Sequence, residues 1–122
     1  MSKRFPAPVL AQFEATKYLY IRSGEHRFIP VWVVVVDRRV LVRSWNDKPD
    51  GWYRAFLAEP RGHVRLGDRE VAVRAVRHRS QQLNDAADNA YAAKYTTKAN
   101  AKYVAGFRDP KRKANTLELV PA

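Results

Sequence analysis

Apolar positions in this chain gather mostly in short runs of period two, punctuated by Pro, Gly and Asp, and settle into a helical spacing in four stretches. After a Pro-rich start, "PVLAQFEAT" sets Val9, Leu10 and Phe13 at helical intervals, and "KYLYIRS" follows as a strand. The run "VWVVVV" at 31–36, bounded by Pro30 and Asp37, predicts a strand buried on both faces at the centre of the sheet. "DRR" then leads into "VLVRSW" as a hairpin without the usual glycine, the second strand ending near Arg43 or Ser44. "DKPDG" is a turn, and "WYRAFLA" pairs Trp52 with Phe56 and Tyr53 with Leu57 in a short helix from about Asp50 to the stop at Pro60.

A second hairpin carries a clearer signal, "GHVRL" and "REVAVRAV" around Gly67-Asp68, with Val64 and Leu66 on one side and Val71, Val73 and Ala75 facing them. "LNDAADNAYAAKY" predicts a helix capped by Asn84 or Asp85 with Lys94 in its last turn. Ala99, Tyr103 and Phe107 extend helical spacing over 98–108 until Pro110, and "TLELV" closes as a strand. Six strands with helices inserted late predict an α+β domain, mainly β, or a small barrel.

Length then bounds the organisation: 122 residues make one domain, 1–122, able to bury roughly two-thirds of its unfolded surface. The absence of cysteine excludes disulfides and thiolate metal sites. Pro6, Pro8, Gln12 and Glu14 interrupt the start, so a signal peptide is not expected. Nowhere do about 18 apolar residues run together, so the expectation is a cytoplasmic protein without a membrane span. A net charge of +11 favours anionic partners without choosing among nucleic acid, acidic lipid and phosphorylated small molecules.

Candidate chemistry concentrates at one corner, "VLVRSWNDKPDGWYRAF" at 40–56, where Arg43, Arg54 and the aromatics Trp45, Trp52 and Tyr53 surround a turn. The plainer account pairs Arg43 and Arg54 with Asp47 or Asp50 on the surface, a contact worth about 0–1 kcal/mol. Trp32 is a core residue or, with Pro30, part of a pocket wall, while Trp45 and Trp52 are lids or stacking platforms. Tyr91, Lys94 and Tyr95 share one helix face, where Lys94 is a capping lysine at the helix C-terminus beside two packing tyrosines or, if burial lowers its pKa, a group that faces a ligand or donates a proton. His26, His63 and His78 have no metal-ligand spacing, and no Ser-His-Asp set or phosphate-binding glycine loop is present.

The order "PVWVVVV", "VLVRS", "WYRAF", a Gly-turn hairpin, "NDAADNAYAAKY" and "NTLELVP", over about residues 17–122, resembles an uncharacterised bacterial domain family of unknown function. That family is itself similar to the split β-barrel flavoproteins, which include pyridoxamine-phosphate oxidases and deazaflavin-dependent reductases. The resemblance implies a split β-barrel with short helices, a homodimer, and a phosphorylated planar cofactor, FMN or a deazaflavin, serving an oxidoreductase. It places the phosphate at the corner: Arg43 and Ser44 at the strand end, Lys48 in the loop, and Trp52, Tyr53 and Arg54 opening the helix. A helix N-terminus and bidentate arginine donors suit an anion there, and aromatics suit a planar ring. The alternative is a cofactor-free basic module for nucleic acid, since residues 94–113 hold seven Lys and Arg, and 61–79 hold six arginines.

Overall fold

The computed structural model describes residues 4–78 and 80–122. Seven strands, β1 (Leu19–Ser23), β2 (Ile29–Val31), β3 (Val34–Val36), β4 (Arg39–Arg43), β5 (Arg61–Leu66), β6 (Arg69–Arg77) and β7 (Thr116–Pro121), form one antiparallel sheet. Their order is β2-β1-β5-β6-β7-β4-β3. The two edge strands, β2 and β3, are therefore joined in sequence by Trp32 and Val33 alone. Such a connection exists only if the sheet curls until its edges approach, and the result is a seven-stranded half-barrel with short helices.

The predicted central strand "VWVVVV" is thus corrected: it supplies both edges and the bend between them. The apolar density that marked it remains meaningful, because Val31, Val33 and Val34 are all buried. Leu19, Ile21, Val40, Val42, Val64, Val73, Leu117 and Leu119 fill the concave side with Phe5, Phe13 and Phe56. A second cluster joins Val34 and Leu41 on the other face to Ala87, Tyr91, Tyr95 and Phe107. Strand β4 is consequently buried on both sides, Val40 and Val42 toward one core and Leu41 and Arg43 toward the other.

The hairpins follow their turn chemistry. Asp37 and Arg38 take φ of 51° and 61° between β3 and β4, the left-handed pair that a two-residue hairpin turn demands, here without glycine. Between β5 and β6 only the first turn residue, Gly67 at φ 59°, takes a positive φ. Gly62 is required for a different reason: a Cβ there would stand 2.0 Å from the Arg22 carbonyl oxygen on the neighbouring strand.

Helix α1 (Ala7–Ala15) and helix α2 (Trp52–Ala58) lie where the periodicity puts them. The Ser23 hydroxyl at the end of β1 anchors α2 through the carbonyls of Ala55, at 2.9 Å, and Glu59, at 2.6 Å. Helix α3 (Gln81–Lys94) starts earlier than Asn84, because Ser80 is its cap, its hydroxyl accepting from the Leu83 N–H at 3.1 Å. Beyond Tyr95 the helix breaks, then resumes as a 3-10 turn (Lys98–Asn100) and α4 (Ala101–Gly106). Pro110 begins helix α5 (Pro110–Lys113), with the Asp109 side chain capping it, where an end had been expected.

One buried charge joins these pieces. The Arg43 side chain is 0% exposed and pairs with Asp88 of α3 at 2.6 Å. Its remaining donors reach Thr116 Oγ1 on β7 at 2.7 Å, the Phe107 carbonyl at 2.8 Å and the Asn84 carbonyl at 3.2 Å. Lys113 of α5 closes on Asp88 at 3.0 Å and Arg108 stands 3.9 Å from it, so the carboxylate serves three cations. Asp88→Ala would leave Arg43 buried without its acid and should lower unfolding free energy by about 3–5 kcal/mol in urea titration. Arg54→Ala, which removes an exposed pair, should change it by no more than about 1 kcal/mol.

Candidate functional site

The break between β2 and β3 takes the backbone of Val33 out of the ladder, and α3 supplies what the ladder does not. The Val33 N–H donates to the Tyr95 hydroxyl at 3.0 Å, and that hydroxyl lies 2.7 Å from the Lys17 carbonyl oxygen. Lys94 Nζ donates to the Val33 carbonyl at 2.7 Å and to the Phe13 carbonyl at 3.0 Å. With Val33 pinned inward, Trp32 is directed to the opposite side. There its indole stacks on the Tyr95 ring, centroids 4.0 Å apart and planes 6° from parallel.

Trp32 is one wall of a cleft of about 430 Å3, a size suited to a small organic molecule. All three tryptophans of the chain, Trp32, Trp45 and Trp52, line it, together with Tyr18, Tyr103 and Phe107. Phe107 meets Trp32 edge-on at 5.8 Å, and Tyr103 meets Trp45 edge-on at 5.5 Å. Trp45 is held from behind by the Arg112 guanidinium, 3.7 Å from its ring, whose Nε also donates to the Trp45 carbonyl at 2.9 Å. Gly106 gives that indole its space, since a Cβ there would fall 2.3 Å from its Cη2. Tyr18, Trp45 and Tyr103 are 57%, 39% and 44% exposed, so the cleft opens to solvent along an aromatic rim.

Of the residues that the sequence nominated, Trp32, Arg43 and Trp52 border this cleft. The Arg43 guanidinium, however, is buried and engaged with Asp88, Thr116 and two carbonyls, and is not paired with Asp47 or Asp50 on the surface. Ser44 is buried with its hydroxyl on the Asn46 carbonyl, and Tyr53 is 3% exposed within the concave core. Lys48 is exposed, and Arg54 forms a bidentate pair with Asp47 at 2.6 and 2.8 Å. Helix α2 is only seven residues long, and its Gly51 cap offers no side chain. The strand-end corner is therefore an interior joint beside a surface ion pair, and the cleft lies on its Trp45 and Trp52 side.

Lys94 sits in an adjoining recess of about 140 Å3, divided from the cleft by Tyr18 and Asn100. Burial first, and the charge of Lys17 second, bring its pKa down to about 8. Burial likewise pushes the Tyr95 phenol up to about 12 despite its contact with Val33. Sequence spacing placed Lys94 and Tyr95 together but gave no sign that their target is backbone. In sequence Tyr103 and Phe107 mark only a helical spacing, and Tyr18 belongs to a strand signal. Only their meeting at the seam makes them cleft residues.

The fold and this cleft define a curled-sheet α+β domain with one aromatic, ligand-sized opening. The chain belongs to the bacterial family described as "Uncharacterized protein conserved in bacteria (DUF2255)", whose model matches residues 9–119. No curated protein matches it. Among solved structures it is similar to the conserved hypothetical protein Rv2991 from Mycobacterium tuberculosis. The TM-score is 0.58 at 13% identity, over 99% of this chain and 81% of that one, a likeness of fold. Among the described residues no helix is long and apolar enough to cross a membrane.

Two measurements check this geometry. A lysine with a depressed pKa binds fewer protons folded than unfolded between about pH 8 and its ordinary value, so stability rises with pH there. Urea unfolding from pH 8 to 10 should show that rise in the native protein and lose it in Lys94→Met. Gly106→Ala should displace the Trp45 indole, read as a red shift in tryptophan emission with far-ultraviolet circular dichroism unchanged.

Proposed function

We propose that the cleft binds a planar heteroaromatic cofactor bearing an anionic tail, of the flavin or deazaflavin type, in a split-barrel arrangement. The observation that carries this is the convergence of all three tryptophans, two tyrosines and Phe107 on one ligand-sized opening. Offset and edge-on contacts between such rings and a flat ligand are each worth about 0.5–1.5 kcal/mol beyond burial. The negative tail would meet the cations already on the aromatic rim, Arg112 over Trp45 and Lys102, whose Nζ is 5.1 Å from the Tyr103 ring centre. Arg43 is poorly suited to that contact because it is fully buried with every nitrogen engaged, and Arg54 because a carboxylate already holds it bidentately, whereas Arg112 commits only Nε and one Nη to carbonyls and carries no acidic partner among the described residues. Any redox step would be the chemistry of the bound ring, which the protein holds and shields from water. A second copy of the chain packing on the exposed Tyr18 and Tyr103 rings would close the opening and make the protein a homodimer.

Titration with FMN and with a deazaflavin, followed by tryptophan emission, should give saturable quenching in the micromolar range. Trp32→Ala should weaken binding about tenfold or more. The double variant Lys102→Ala/Arg112→Ala should weaken it severalfold, and Lys48→Ala/Arg54→Ala should not. Absence of saturable quenching with either compound would remove flavins and deazaflavins as occupants. Sensitivity to Lys48 and Arg54 alone would return the anion to the strand-end corner.

A further inference from the structure

The basic residues fall into two populations once folded. Those of 94–113 are largely engaged within the protein: Lys94 on backbone carbonyls, Arg112 on Trp45, and Lys113 on Asp85 and Asp88. The arginines of the second hairpin form no ion pair among the described residues. On the convex side of β1, β5 and β6 the register aligns Tyr20 with Arg65, Arg22 with His63, and Arg61 with Arg74. Arg61, Arg65 and Arg74 are exposed, and Tyr20 is 50% exposed. Among the described residues none of these four arginines enters an ion pair, not even Arg65 with Glu70, its cross-strand neighbour. Arg79 lies outside the described residues.

This arrangement has a cost that an anion would relieve. Directly opposed like charges on adjacent strands destabilise a sheet, and Arg61 opposite Arg74 is such a pair. Among the described residues, Arg22 Nε and His63 Nδ1, neighbours across the β1–β5 ladder, both have no hydrogen-bond partner. The face also carries flat surfaces: the Arg65 guanidinium lies 3.9 Å from the Phe28 ring centre, with that of Arg22 at 4.9 Å on the same ring. Arg61 and Arg65 are spaced about 13 Å along β5 at the usual rise per residue, and the three strands span about 10 Å.

We infer that this convex face binds single-stranded nucleic acid. Arginines 61, 65 and 74 hold phosphates, while Tyr20 and the Arg65–Phe28 stack give platforms for unpaired bases. Single strands are favoured over duplex because the aromatic and guanidinium planes lie open on a shallow sheet, where only an unpaired base presents its π-face. Self-association through this face is disfavoured, because a two-fold contact would set four arginines against four.

The test is anisotropy of labelled short oligo-dT and oligo-U on the full chain across a salt series, with a hairpin duplex and polyglutamate as competitors. Single strands should bind with a logarithmic salt slope of about −0.7 per phosphate engaged, hence about −2 for three arginines. Arg61→Glu/Arg74→Glu should weaken binding by about tenfold or more. Tyr20→Ala should weaken it by about fivefold or more, the lower end of a lost base stack. Arg38→Glu/Lys111→Glu, with the same change in net charge elsewhere, should have a much smaller effect. Equal loss in both double variants would reduce the effect to net charge and overturn the proposal. So would absence of binding, preference for duplex, or competition by polyglutamate as effective as by the oligonucleotide, which would make the face one for acidic protein. FMN quenching in Arg61→Glu/Arg74→Glu should stay native, which separates failure here from failure of the cleft.

Discussion

A sheet whose two edges are consecutive in the chain must bend sharply between them, and at the bend the backbone has no strand to pair with. In this protein that burden falls on Val33, buried and outside both ladders. Leaving its N–H and C=O unpaired inside a protein would cost about 1–3 kcal/mol each. Tyr95 and Lys94 meet both groups, and in doing so fix the C-terminal end of α3 against the seam. Burial at this position, with the charge of Lys17 second, lowers the lysine's pKa.

The cleft follows from that seam. Once Tyr95 is committed to Val33, its ring lies flat beneath Trp32, and Trp32 can only extend outward. The break after Tyr95 then lets α4 turn back, so that Tyr103 and Phe107 face Trp32 and Trp45. Arg43 holds the same region from below, through Asp88 on α3 and the carbonyl of Phe107 after α4. A residue that looks like a ligand contact in sequence is thus what keeps the aromatic walls in place.

Much of the local structure was legible because it rests on local physics. The Gly67-Asp68 hairpin, the short helix after Gly51 and the strand ending at Arg43 follow from alternation, turn residues and i, i+4 pairing. The errors have separate causes. A run of valines records burial but not which strand lies beside it, so "VWVVVV" could not reveal that it bends from one edge to the other. Pro110 was a helix stop by propensity and a helix start in fact, because proline is equally at home in the first turn. Asn84 and Asp85 looked like caps, yet Asn84 offers its carbonyl to Arg43 and Asp85 pairs with Lys113.

The sequence by itself determined a mainly β domain, its hairpins, its basic character and the small set of aromatics and arginines among which any site would lie. Tertiary structure alone decided their partners. Residues 32, 45, 52 and 103 converge only when the sheet curls, and arginines 43 and 61 differ only in which side of a strand meets a helix and which meets water. Charge and apolarity are properties of a residue, whereas burial, pairing and opposition across strands are properties of pairs distant in the chain, and no local pattern encodes those distances.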